Sequence, residues 1–427
     1  MARLPDPRFA PDCTILVDGS AVAARRGESV AAALLAAGRA LLSRSYKYHR
    51  PRGPFCLAGT CGNCLVRADG EPNRRACQTS CREGMRVETQ NAWPDARRDL
   101  LGVIDRLAPR GLDVHHLLTW PGPLNRLMVA VSRQLAGLGR LPAAPGPEFA
   151  SAGPERVEAV VLGGGPAGLG AAEALAGAGR RVLLAEGDAR WGGRLRADLR
   201  MPGDPPPSWA GEVVRAVERA GGEAATGTEA AGIWTDGGTP VCLLVAGARV
   251  RLVRADRFVV CTGGVAQPPL FENGDLPGVF SGRALVRLLA EGGVVAGRRA
   301  AVLGEGAEAR AVAERLGAGG MEVERVAFEV ARARGRARVR SLVLADGRTV
   351  ACDTVADGRA PAPSPRLLRV LGVPVGWEAA LEAFVPAVED SGATPVPGLF
   401  AAGEVARPVD AAGAAAWGRR AGEAARG

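Results

Sequence analysis

Residues 56–77 read CLAGTCGNCLVRADGEPNRRAC, a C-x4-C-x2-C spacing followed by twelve residues and a fourth cysteine. Cys56, Cys61 and Cys64 share one loop, and Cys77 stands on the segment that follows. This is the plant-type [2Fe-2S] arrangement. Two ferric ions bridged by two sulfides take four thiolates in two tetrahedra, so one loop has to wrap the cluster and a second segment has to close it. Gly53, Gly59 and Gly62 are expected to let the loop turn its amide N–H groups towards the sulfurs, where such bonds raise a reduction potential. Cys81, four residues past Cys77, is a rival for the fourth position. Zinc is the alternative metal, although structural zinc sites usually pair two C-x2-C knuckles and one is present here.

Working outward, the flanks of the loop read as a small mixed sheet. Thr14–Val17 and Ala21–Ala24 are strand-like runs joined at Asp18-Gly19, a dipeptide suited to the positive φ angles of a tight hairpin. A helix is expected next, since Ser29 can cap it, VAAALLAAG has helix-forming composition and Gly38 is a natural stop. Cys64–Arg67, the turn Asp69-Gly70 and Met85–Thr89 complete the strands. The order predicts a β-grasp [2Fe-2S] ferredoxin-like domain over residues 1–95.

Residues 96–155 predict a helical connector, broken by Pro109, Pro121 and Pro123 and ending in the loop-like LPAAPGPEFASAGPE. From Arg156 the pattern becomes apolar strand, Gly-rich turn, Ala-rich helix and apolar strand, a parallel βαβ unit. Val160-Val161-Leu162 leads into Gly163-Gly164-Gly165-Pro166-Ala167-Gly168, and a second strand, Val182–Leu184, delivers Glu186, 18 residues beyond Gly168. Gly163 is expected to make the tight turn, Gly165 to admit a pyrophosphate and Gly168 to let helix and strand pack closely. Phosphate charge then sits on the helix N-terminus opened by Pro166 and Ala167, and Glu186 binds ribose hydroxyls.

Gly192-Gly193-Arg194, the strand-turn Val259-Val260-Cys261-Thr262-Gly263-Gly264 and Gly398-Leu399-Phe400-Ala401-Ala402-Gly403-Glu404 resemble flavoprotein elements. Their order is similar to that of two-dinucleotide-domain reductases such as thioredoxin reductase. The resemblance implies FAD, with Gly193, Arg194, Thr262, Gly263, Gly403 and Glu404 joining the glycine loop as binding residues. In that family the last motif ends Gly-Asp, beside the ribityl chain and phosphate, whereas Glu404 is one methylene longer. An FAD-binding domain is expected over 156–296 and 376–427, giving a fold class of α/β plus α+β.

A weaker copy of the unit follows: Ala300–Leu303, Gly304-Glu305-Gly306-Ala307-Glu308-Ala309, a helix to about Leu316 and a strand Val323–Phe328. It predicts a shortened second, NAD(P)-like dinucleotide domain over 297–375, because the chain passes almost at once to Val339–Leu344 and its turn Asp346-Gly347. Glu305 sets a carboxylate where phosphates would approach. That argues against tight binding of NAD(P) or another nucleotide there, and the domain reads mainly as structural.

The 427 residues are enough for two or three domains. The formal charge is +9 and Lys47 is the only lysine. Outside 44–52 and 332–340 the arginines are scattered and no nucleic-acid module accompanies them, so no nucleic-acid partner is expected. The start, MARLPDPRFAPD, lacks the apolar core of a signal peptide, and no run nears the ~18 apolar residues of a membrane span. A cytoplasmic location is expected. In that reducing compartment, nine cysteines argue for metal or redox chemistry over disulfides. Cys13, Cys242, Cys261 and Cys352 read as small core residues and Trp93 and Trp120 as packing anchors. His49, His115 and His116 are the only histidines, and no catalytic residue is assigned.

The stretch Arg44-Ser45-Tyr46-Lys47-Tyr48-His49-Arg50-Pro51-Arg52-Gly53, the four cysteines, Pro72-Asn73-Arg74-Arg75-Ala76-Cys77 and Gln90-Asn91-Ala92-Trp93-Pro94 closely resemble the sarcosine oxidase α-subunit family. That family includes the related subunits of opine oxidases, hydrogen cyanide synthase and D-hydroxyproline dehydrogenase. Thr119-Trp120-Pro121 and the stretch 136–142, AGLGRLP, extend the resemblance. The family pattern favours Cys77 over Cys81. It implies an electron-transferring flavo-iron-sulfur subunit of a heteromeric FAD-dependent dehydrogenase or oxidase of amines or imino acids. The amine would be oxidised on a partner, a DAO-like flavoprotein β subunit, with room for an additional small subunit. Two other readings stay open, a self-sufficient NAD(P)H-dependent FAD/[2Fe-2S] oxidoreductase and a flavin-free scaffold. The only C-x-x-C, Cys61 to Cys64, belongs to the cluster motif, so disulfide reduction is not expected. The chain also reads as lacking the Cys-rich or folate-binding C-terminal modules of some relatives.

Overall fold

The computed structural model describes residues 2–45, 48–103, 120–135, 148, 150–197, 203–327 and 329–427. Tyr46, Lys47, His115, His116, Thr119, Phe328 and the stretch 136–142 lie outside the described residues. The chain divides into two units, Met1–Pro145 with Pro268–Arg359, and Gly146–Gln267 with Ala360–Gly427.

In the first unit, Cys13–Val17 pairs with Ser20–Ala24 through a turn in which Asp18 and Gly19 take φ of 47° and 77°. Alternation sorts the side chains: Cys13, Ile15 and Val17 are buried while Thr14 and Leu16 face out. The helix Val30–Ala36 begins where Ser29 Oγ accepts the Ala32 N–H at 3.2 Å, and it stops before Gly38 at φ 74°. Val30 to Leu35 are all buried. The five strands run in the order Ser20–Ala24, Cys13–Val17, Arg86–Glu88, Leu65–Ala68, Glu71–Arg75, with Cys13–Val17 and Arg86–Glu88 parallel. This is a β-grasp sheet.

The same unit holds four parallel strands in the order Val279–Ser281, Thr354–Asp357, Arg299–Leu303, Glu322–Val326. Helices Gly282–Gly292 and Ala307–Ala318 follow the first and third of them. Val279–Ser281 and its helix thus belong to the second dinucleotide fold, because Val279, Phe280 and Ser281 pair with Val355, Ala356 and Asp357. The boundary expected at 296/297 falls at 267/268 instead. The one expected at 375/376 falls at 359/360, since the short helix Arg366–Val370 buries Leu368 in the core of the second unit. A strand the sequence reading lacks, Val330–Gly335, joins Val339–Leu344 and Thr349–Ala351 in an antiparallel sheet. Its burial does not alternate: Ala333 alone is buried, between exposed Arg332 and Arg334, and the register shifts between Val330 and Arg332.

A seven-stranded sheet forms the centre of the second unit. Six run in the order Glu223–Ala225, Val182–Ala185, Ala150–Leu162, Arg249–Val260, Thr239–Ala246, Glu229–Asp236, and Leu399–Ala401 pairs in parallel with Arg249–Val260. Val160, Val161, Leu162, Phe258, Val259 and Val260 are at most 1% exposed, and each such side chain contributes roughly 1.5–3 kcal/mol by burial. The helix Pro166–Gly177 meets the C-terminal helix Ala411–Ala424 backbone on backbone. A Cβ on Gly418 would stand 1.9 Å from the Ala167 carbonyl oxygen, and one on Gly170 2.3 Å from that of Ala415.

Among the described residues no helix is long and apolar enough to cross a membrane. Trp93 and Trp120 are not packing anchors, being 61% and 85% exposed. The helix contact makes a paired prediction. Gly418→Ala should destabilise the protein by about 1–3 kcal/mol, while Gly177→Ala, whose Cβ would meet nothing within 4 Å, should be neutral or stabilising by up to about 1 kcal/mol. Urea unfolding of the two variants checks it.

Candidate cluster and dinucleotide sites

The thiols of the 56–77 stretch form a chain of contacts, Cys61 to Cys56, Cys56 to Cys77 and Cys77 to Cys64. Hydrogen bonds from Cys61 and Cys77 hold Cys56 well below the usual thiol range, and one from Cys77 lowers Cys64. The donors Cys61 and Cys77 are pushed up in turn. A backbone amide also faces one sulfur, Ala58 N–H pointing at Cys56 Sγ (3.4 Å). Negative charge is therefore favoured on the Cys56 and Cys64 sulfurs. Gly59 and Gly62 take the positive φ it requires, 77° and 67°. Gly53 does not, contrary to expectation; a Cβ there would stand 2.3 Å from the Ala40 carbonyl oxygen and 3.1 Å from Pro277 Cβ, so it is a close-approach glycine.

Cys81 lies elsewhere. Its N–H donates to the Glu28 carbonyl (2.7 Å), its own carbonyl accepts from Gly27 (2.9 Å), and its thiol faces Glu28, Cys13 and Arg3. Of the two rivals, only Cys77 is brought to the other three thiols. Among the described residues no three His, Cys, Asp or Glu side chains converge to hold a single metal ion. His49 is buried with Nδ1 2.8 Å from Asp99 Oδ2, and Arg44 donates to the carbonyls of Ala96 and His49. This network ties Arg44 and His49 to Ala96 and Asp99.

In the second unit the expected dinucleotide residues gather at the start of the helix Pro166–Gly177. Gly163 turns at φ 107°, and Gly168 packs so closely that a Cβ would lie 1.7 Å from the Gly163 carbonyl oxygen. Gly165 is the N-cap and supplies no side chain to cap the helix, with Pro166 next. A Cβ on Gly165 would meet only the Cα of Gly193, at 3.9 Å. The helix end is thus an open cradle with unpaired N–H groups, which fits a phosphate. Gly193 and Gly403 close its sides: Cβ atoms there would stand 2.9 Å from Gly165 Cα and 2.7 Å from Ala167 Cβ. Thr262 and Gly263, the latter at φ 75°, follow Cys261, whose carbonyl backs Gly163.

Glu186 reaches the loop as expected, its carboxylate accepting the N–H groups of Gly164 (2.6 Å) and Asp188 (2.7 Å). Glu404 is buried, and its carboxylate pairs with Arg194 Nη1 at 3.1 Å while the same nitrogen donates to the Val409 carbonyl at 2.7 Å. A carboxylate at a phosphate-binding helix end would repel the ligand, and the guanidinium offsets that charge. Trp191 is a residue that the sequence reading passed over. Its ring lies against Gly164, where a Cβ would be 2.4 Å from Cε3, so it walls the loop next to Glu186. Its place directly before Gly192-Gly193 was the available signal.

The copy in the first unit repeats the turn and an uncapped helix start at Gly306, where a Cβ would meet nothing within 4 Å, but not the close helix-to-turn approach behind it. Gly304 takes φ 104°, but Ala309 stands where the first copy has Gly168, and its methyl group packs on Gly358. Glu305 is exposed on the loop, Glu308 pairs with Arg283 (2.5 Å), and Asp357 pairs with Arg359 (2.9 Å).

Residues 11–92 match the family model of the 2Fe-2S iron-sulfur cluster binding domain, and residues 161–205 that of the NAD(P)-binding Rossmann-like domain. Sarcosine oxidase subunit alpha of Rhizobium meliloti is 31% identical over 330 residues, covering 72% of this chain and 33% of that protein. Hydrogen cyanide synthase subunit HcnA of Pseudomonas aeruginosa is 47% identical over 85 residues, 20% of this chain and 81% of that protein. The chain belongs to the sarcosine oxidase α-subunit-like family. It spans about a third of the length of the R. meliloti member. Among solved structures, L-proline dehydrogenase from P. horikoshii shares the fold, with a TM-score of 0.74 and 21% identity over 99% of this chain and 74% of that one. This member of an oxidoreductase family therefore joins a 2Fe-2S domain to a Rossmann-like domain of the FAD/NAD(P)-binding kind.

Two predictions follow from the buried groups. Arg194→Gln removes a cation from a carboxylate only 9% exposed and should cost about 3 kcal/mol; the double variant Arg194→Gln, Glu404→Gln should recover part of it in the same unfolding assay. Burial pushes Cys81, Cys242, Cys261 and Cys352 from the usual 9.0 to about 12. The folded chain holds those protons more tightly, so this stabilising contribution is complete below about pH 9 and lost as pH rises towards 12. Denaturation midpoints measured from neutral pH into that window should fall.

Proposed function

We propose that the chain is the electron-transferring flavo-iron-sulfur subunit of a heteromeric FAD-dependent dehydrogenase or oxidase of amines or imino acids, of the sarcosine, D-hydroxyproline or opine type. The observation that carries it is the presence, in one chain of this family, of four gathered thiols on a β-grasp loop and an uncapped glycine cradle on a Rossmann-like fold. Cys56, Cys61, Cys64 and Cys77 hold the [2Fe-2S] cluster. Gly163, Gly165, Pro166, Ala167 and Gly168 hold the pyrophosphate of FAD, Glu186 its ribose, and Gly193, Arg194, Thr262, Gly263, Gly403 and Glu404 the remainder. When bound, the flavin accepts electrons in pairs and the cluster passes them on singly. The Ala58 amide aimed at the Cys56 sulfur favours added negative charge there, and Arg194 keeps the Glu404 charge from opposing an anionic ligand. The only C-x-x-C stands in the cluster loop, which leaves no dithiol for disulfide exchange. Amine oxidation falls to a DAO-like flavoprotein β subunit, with room for an additional small subunit, in the cytoplasm.

The purified chain should be yellow, contain iron and sulfide in equal amounts, and give a [2Fe-2S] EPR signal on reduction. Cys61→Ser should abolish that signal while flavin stays bound, and Cys81→Ala should leave both. NADH or NADPH should not bleach the flavin in stoichiometric amount; rapid bleaching would establish the self-sufficient oxidoreductase instead, and a folded chain without flavin absorbance the scaffold. Zinc in place of iron would remove the electron-transfer reading. Purification from the native host should bring down an amine-oxidising flavoprotein, and its absence would refute the partner assignment.

A further inference from the structure

The peptide group that joins Phe55 to Cys56 is held on its carbonyl side, where the Phe55 carbonyl oxygen accepts the Ser281 N–H at 3.1 Å. Ser281 closes the strand Val279–Ser281 and caps the helix Gly282–Gly292, its Oγ accepting the Ala284 N–H at 3.3 Å. The dinucleotide-like fold of the first unit thus touches the cluster loop one residue before its first cysteine.

That contact is braced. Arg52 Nη1 lies 3.1 Å from Asp275 Oδ2, and Gly53 comes within van der Waals reach of Pro277 only because it lacks a Cβ. At the other end of the helix, Arg3 donates to the Gly292 carbonyl (2.9 Å) and Arg25 to that of Glu291 (3.2 Å), while Ala2–Arg3 pairs with Val294–Val295. The β-grasp domain therefore grips this helix at both termini.

We propose that Ser281 is a positioning residue for the cluster: its N–H holds and polarises the Phe55–Cys56 peptide, the amide of the first ligand cysteine, raising the reduction potential. The inference rests on Cys56 being a cluster ligand. A carbonyl that accepts a hydrogen bond makes its own amide N–H more positive. Positive charge brought next to a ligand sulfur stabilises the reduced, more negative cluster. The N-terminal end of the helix, with its partial positive charge, adds in the same direction. The second dinucleotide fold, whose glycine loop presents Glu305 and a packed Ala309, then serves as the mount that holds this donor.

The test uses the full chain with its cluster. Ser281→Pro deletes the N–H, and the site suits proline, with φ −68° and an extended Phe280 before it. Ser281→Ala keeps the N–H and removes only the Oγ cap. In an EPR-monitored redox titration, Ser281→Pro should lie below both the wild type and Ser281→Ala, with electron affinity lowered by up to tenfold, about 59 mV for one electron. Its g-values and visible circular dichroism should shift as well. Equal potentials and spectra in the two variants would overturn the proposal. Should Ser281→Pro load no cluster, Gly282→Ala decides: its Cβ would meet the Asp357 carbonyl oxygen at 2.9 Å and so displaces the turn without removing any N–H. A lowered potential there supports the role and an unchanged one overturns it. Iron content of the wild type separates a failure of this inference from a failure of the ligand assignment.

Discussion

At Gly168 the helix backbone lies against the Gly163 carbonyl, closer than any side chain would permit, and the second unit is arranged around that approach. Because the helix rises directly from the loop, its first amides are left open at Gly165, and Gly193 and Gly403 can close in from two other segments. The same economy of side chains recurs one layer out, where Gly418 and Gly170 let the C-terminal helix seat on the first. A composition rich in Gly and Ala is thus structural: it replaces side-chain interdigitation with backbone contact, and it moves the energetic cost into the lost freedom of the glycines.

The two nucleotide-type folds show how small a change alters what such a loop can do. Gly163 and Gly304 have nearly the same left-handed φ, 107° and 104°, so the turn is kept. What differs is the first turn of the following helix, where Ala309 replaces the bare backbone of Gly168 and the close approach shifts to Gly358 on a neighbouring strand. With Glu305 on the loop, the second fold sets a carboxylate beside a helix start that Gly306 leaves uncapped, as Gly165 does in the first. Its parallel sheet is nonetheless complete enough to position Val279–Ser281, and that strand is what meets the cluster loop.

Local chemistry was legible in the sequence wherever it constrains a few consecutive residues. The Asp18-Gly19 and Asp69-Gly70 turns, the Ser29 cap, the GGGPAG loop and the cysteine spacing each dictate a backbone shape that only certain residues adopt. Features set by distant partners were not legible. The boundary near 267 depends on Val279–Ser281 pairing with Val355–Asp357, and the Arg-rich strand Val330–Gly335 buries only Ala333 and carries register shifts, so it has no alternating pattern to read. The choice between Cys77 and Cys81 was open for the same reason: only the folded chain shows that the pairing of Cys81 with Gly27 and Glu28 turns its thiol away. Gly53 looked like a turn former because it borders the loop, but its small size answers to Ala40 and Pro277.

Arginine is the other recurring device, and its geometry explains why lysine would not serve. Arg3 spans Glu28 and the Gly292 carbonyl, Arg44 spans two carbonyls around the His49–Asp99 pair, and Arg194 spans Glu404 and the Val409 carbonyl. Each satisfies a buried acceptor set that a single ammonium on a flexible stem would leave partly unmet. Buried carboxylates at Glu28, Asp99 and Glu404 are tolerable only with such partners. Arg3 and Arg44 both act by fixing backbone carbonyls. Electrostatics here is therefore spent on holding peptide groups in place.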